Sequence, residues 1–160
     1  MGNPGSGREE SEKERLDRNL NELLQELRVA LPGVQVLFAF LLTIPFAQRF
    51  AELTTAQERI YLAILLSTTI SAALLIAPSA FHRINFRKQQ KGKLVFLSNG
   101  LAIAGLGFLA LAMTGVVLLV TDFLFATPVT IVCTMLAALM FALFWYALPL
   151  RTRLSLGDDE

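Results

Sequence analysis

The stretch LVFLSNGLAIAGLGFLALAMTGVVLLVTDFLFATPVTIVCTMLAALMFALFWYALPL (94–150) decides the fold, because it holds a single charged side chain, Asp122, with a long apolar run on either side. A hydrocarbon core about 30 Å thick takes about 20 apolar residues as a helix. Two such helices fit here, over about 96–120 and 128–150. Thr127 before Pro128 reads as an N-cap followed by proline at the first helical position, so a tight hairpin is expected between them.

Two more spans lie upstream. One covers about 33–47, between Arg28 and Arg49, and one about 60–81, between Arg59 and the pair His82-Arg83. The chain of 160 residues is 54% hydrophobic and 17% charged, whereas a soluble domain carries about 25% charged residues. The charges are also crowded, with twelve of them in residues 8–28. An ordinary globular domain and a disordered chain are both excluded. A net charge of +1 argues against nucleic-acid binding. Cys133 is the single cysteine, so no internal disulfide forms. The expected class is an all-α polytopic membrane protein with four transmembrane helices.

Lysine and arginine set the expected orientation. Arg8, Lys13, Arg15, Arg18 and Arg28 precede the first span, and Arg83, Arg87, Lys88, Lys91 and Lys93 follow the second. Arg151 and Arg153 follow the fourth, while Arg49 and Arg59 stand alone on the opposite side. Both termini are therefore expected in the cytoplasm. Residues 1–28 contain no apolar stretch with a small-residue cleavage site, so insertion through the first span is expected. Trp145 and Tyr146 are expected near the inner interface.

The polar N-terminal part divides into a disordered start, 1–7, and an amphipathic cytoplasmic helix, 8–31. Leu16, Leu20, Leu23, Leu24, Leu27 and Leu31 recur at three- and four-residue steps and form one stripe. Pro32-Gly33 is expected to end this helix. Residues 8–28 carry five positive and seven negative charges, and such a helix is poorly attracted to an anionic leaflet. The stripe is therefore read as a protein contact face, either on the same chain or on another. Residues 151–160 are read as a cytoplasmic tail.

Intramembrane chemistry needs costly ionisable groups, and these spans hold none. No His/Cys cluster has metal-ligand spacing, and no serine has a base beside it. No catalytic residue, cofactor or metal is expected, and the chain is read as a non-enzyme. Small residues at three- and four-residue steps, such as Ala63, Ser67 and Ser71, or Gly100 with Ala104 and then Gly107, or Thr134, Ala138 and Ala142, are the usual material of helix contacts in lipid. In the first span Gln35, Ala39, Thr43 and Ala47 share one face. Gln35 and Thr43 then either bond to a neighbouring helix or line a wet path at an oligomer axis. Pro45 leaves the Leu41 carbonyl without its helical donor.

The segments LDRNLNELLQELRVALPGVQVLFAFLLTIPF (16–46) and IAPSAFHRINFR (76–87) resemble a family of four-span actinobacterial membrane proteins of unknown function. The resemblance covers about residues 14–152 and implies a bacterial plasma-membrane location with this topology. It carries no active site. Some relatives bear a sodium:proton antiporter label, yet coupling those ions needs a carboxylate at membrane depth. The expected role is thus a non-catalytic four-helix protein that meets the lipid bilayer, further copies of itself and, through residues 8–31, a cytoplasmic protein. The alternative is a small-ion channel or cation/proton transporter with the first span near the pathway.

Overall fold

The computed structural model describes residues 12–84 and 91–157. The expected disordered start at 1–7 lies outside them. Helix α1 runs Glu12–Thr43, and short 3-10 turns at Ile44–Phe46 and Gln48–Glu52 lead to α2, Thr55–Ile84. Helix α3 runs Lys91–Leu124 and α4 runs Thr127–Ala142. A π turn at Leu143–Ala147 then joins α4 to α5, Leu148–Gly157. Four stretches are long and apolar enough to cross a membrane: Arg18–Phe46, Thr55–Phe81, Val95–Leu124 and Thr127–Thr152. This is an all-α, four-span membrane protein.

The antiparallel pair α2–α3 forms the centre, α1 lies against both, and α4 packs on α3. Glycine sets the α2–α3 spacing. A methyl at Gly105 would meet Leu75 Cδ2 at 2.8 Å, and one at Gly115 would meet Ile64 Cγ1 at 2.7 Å. The two backbones can lie this close because those positions have no side chain. Ser71, fully buried, donates its hydroxyl to the Gly105 carbonyl at 2.8 Å and ties the same contact. The core has two layers. Leu27, Val34, Leu75, Ala102 and Leu109 form one towards the termini, and Leu41, Tyr61, Ile64, Ala112 and Leu119 the other. We call the second end, where 44–54 and 125–126 turn the chain, the distal end.

Two expectations need correction. Pro32-Gly33 does not end the first helix, which runs through it to Thr43 and is 32 residues long in all, about 48 Å at 1.5 Å per residue. Proline removes the bond to the Arg28 carbonyl, but Pro32 sits on the exposed side while Leu27 and Val34 pin the opposite side. The polar N-terminal helix and the first span are therefore one element. At the second hairpin the cap is Ala126 rather than Thr127, and it makes no side-chain cap bond. Beyond the fourth span, α5 carries the helix through 151 to Gly157. Pro149 cannot donate to the Trp145 carbonyl and its ring would strike it. The preceding π turn, with the Leu148 amide bonded to the Leu143 carbonyl, accommodates that misfit.

Candidate contact site on the first helix

Every seventh residue of α1 is buried: Leu20 and Leu27 at 4% exposure, Val34 at 0% and Leu41 at 2%. Leu23, Leu31 and Leu37 are partly buried and pack against the core layer towards the termini, and Leu24 is half-buried. A seven-residue repeat is the seam of a left-handed, coiled-coil-like contact. The leucine stripe thus meets the chain's own α2 and α3. Its sixth member, Leu16, has its side chain outside the described residues. The stripe visible in the sequence as far as Leu31 continues through Val34 to Leu41, which the expected break at Pro32 concealed.

The other side of α1 faces away from the rest of the chain. Gln35, Ala39, Thr43 and Ala47, assigned to one face from their spacing, are all exposed. Around them Val36, Phe40 and Leu42 are exposed as well, so the polar groups sit in an apolar surface. Thr43 satisfies itself, its hydroxyl donating to the Phe40 carbonyl at 2.7 Å. The Gln35 amide has no hydrogen-bond partner among the described residues. It lies about 10 Å along the helix from Arg28, inside the span. An amide offers two donors and an acceptor, and hydrocarbon answers neither.

The distal end is held by polar contacts. The Tyr61 hydroxyl donates to the Leu41 carbonyl at 2.8 Å, and the ring packs edge-on against Phe50 at 5.5 Å between centroids. Thr54 and Gln57 form a capping box. The Thr54 amide donates to Gln57 Oε1 at 2.9 Å and the Gln57 amide to Thr54 Oγ1 at 3.3 Å. Gln57 Nε2 then donates to Asp122 Oδ2 at 2.8 Å, joining the start of α2 to the end of α3. Sequence reading placed Asp122 in a hairpin without a partner. The T-x-x-Q spacing of 54–57 was the signal that would have drawn attention to Gln57.

Small-residue patterns located some contacts and missed others. Ser67 and Ser71 are buried, but Ala63, Gly100, Ala104, Ala138 and Ala142 are exposed, and Thr134 is half-buried. A methyl at Gly100 would meet nothing within 4 Å. The buried hydroxyls of Ser98, Thr130 and Thr134 have no hydrogen-bond partner among the described residues. Tyr146 donates to the Ile103 carbonyl at 3.0 Å, and Trp145 packs on the core layer towards the termini, so both rings are engaged by the bundle. Cys133 is half-buried. Among the described residues no three His, Cys, Asp or Glu side chains gather as metal ligands.

The chain belongs to the family of unknown function DUF6328, whose profile matches residues 9–149. No curated protein and no solved structure matches it.

Proposed function

We propose that this family member is a non-catalytic membrane protein that works as a homo-oligomer, with the Gln35 face of α1 as the contact between copies. One observation carries the reading: an amide inside a candidate membrane span, exposed and without a partner among the described residues. Leaving such a group in hydrocarbon costs about 1–3 kcal/mol on mutational scales. A second copy answers it with the same group, since an amide is its own hydrogen-bonding complement. Ala39, one turn on, keeps the contact close. Residues 12–31 are then an extension of the same helix. Their leucines serve the chain's own core, and their outward side, with Val29 exposed, is left for a cytoplasmic protein. The lysine and arginine count supports a bacterial plasma-membrane protein with both termini inside.

A second reading shares this site. If the Gln35 faces of several copies meet around an axis, Gln35 and Thr43 line a path for a small ion or a coupled cation and proton. Gln35→Leu separates the two. In the contact reading the variant loses oligomer in detergent, measured by light scattering, and liposome ion flux stays at background for both proteins. In the path reading the wild type carries flux, and the variant loses it while its assembly persists. An unchanged oligomer and no flux in either protein would defeat both readings.

A further inference from the structure

We propose that the apolar slot at the distal end binds one phospholipid whose headgroup carries a phosphate and a primary ammonium. The slot has a volume of about 220 Å³ and is lined by Ile44, Phe50, Leu53, Leu119 and Phe123, with Arg49 as its one ionised side chain. Its walls are the 3-10 segment after α1 and the last turns of α3. Phe46, Leu124 and Phe125 are exposed beside it, and apolar side chains so placed belong against lipid chains. An acyl chain can therefore enter the slot without leaving the bilayer, and its headgroup then lies at the level of Arg49.

The charges there come as a pair. Arg49 Nε holds Glu52 Oε2 at 3.1 Å, and the guanidinium lies 4.5 Å from the centre of the Phe123 ring. That leaves both terminal nitrogens of Arg49 and the second oxygen of Glu52 without a partner among the described residues. A guanidinium edge fits a phosphate, and a carboxylate oxygen fits an ammonium donor. The pair is neutral as a whole, and a net anionic headgroup would bring its excess charge against the Glu52 carboxylate. The complement is a zwitterion: phosphate on Arg49, ammonium on Glu52.

The test is the melting temperature of the full chain in detergent with added phosphatidylethanolamine, phosphatidylglycerol or phosphatidylcholine. Phosphatidylethanolamine should raise it by about 3 °C or more, and the other two by less than half as much. Arg49→Gln and Glu52→Gln should each remove most of that rise, and Leu53→Trp, which fills the slot, should remove it while leaving the charges in place. Arg59→Gln should keep it. Equal shifts from all three lipids, or a full phosphatidylethanolamine shift in the Arg49→Gln/Glu52→Gln double variant, would overturn the proposal.

Discussion

The Tyr61 hydroxyl donates at 2.8 Å to the Leu41 carbonyl, the one carbonyl of α1 whose helical donor would have come from position 45, where the chain has proline. Proline has no N–H to give. The bond is therefore a replacement, made across helices, for one that the helix cannot make along itself. It also fixes the end of α1 to α2 at the distal end.

That origin predicts a coupling. Tyr61→Phe keeps the ring against Phe50 and leaves a buried carbonyl unpaired, so it should cost about 1–3 kcal/mol. Pro45→Ala restores an amide at position 45. In that background Tyr61→Phe should cost at least about 1 kcal/mol less, read as melting temperature or denaturant midpoint in detergent for the four proteins of the cycle. Equal costs in both backgrounds would mean that Leu41 takes no bond from position 45.

The glycines of α3 should divide into two classes. Gly100→Ala, on open surface, should be neutral or should stabilise by up to about 1 kcal/mol through helix propensity. Gly105→Ala and Gly115→Ala meet Leu75 and Ile64 and should destabilise by about 1–3 kcal/mol, because overpacking moves whole side chains or backbone. Gly107→Ala should displace the Tyr146 hydroxyl, 2.8 Å from the added methyl. Thermal melts of the four variants test the order.

The link from Gln57 to Asp122 predicts that the acid is structural. Asp122→Leu should remove one bond to a charged acceptor and lower stability by about 1–2 kcal/mol. Gln57→Glu keeps an acceptor for the Thr54 amide but turns a donor against Asp122 into a second carboxylate, and should cost more than Asp122→Leu. Chemical denaturation of the two variants decides it.

How much of this was legible follows from what each signal measures. Hydropathy and charge report the environment of whole segments, so the four spans could be read from residues such as Asp122 and Arg59 that punctuate them. The Gln35–Thr43 face was also legible, because helical spacing alone places those residues together. Pro32 misled, since its local cost is fixed while the contacts of Leu27 and Val34 that outweigh it are long-range. For the same reason Gly105 and Gly115 were missed, while of the two glycines chosen Gly107 meets Tyr146 and Gly100 meets nothing. Four-residue spacing finds a face, and the partner helix decides which face is used. The exposure of Gln35 was not readable at all, as it depends on where α2 and α3 lie.

The central claim, that copies of this chain meet on the Gln35 face, is tested most directly by cross-linking. In a Cys133→Ser background, Ala39→Cys places one thiol on that face, and Leu136→Cys places one on the exposed face of α4. Mild oxidation in native membranes should give a disulfide-linked dimer from Ala39→Cys in high yield and little from Leu136→Cys, and adding Gln35→Leu should lower the first yield. A monomeric Ala39→Cys protein beside a dimeric Leu136→Cys protein would contradict the account and move the contact to α4.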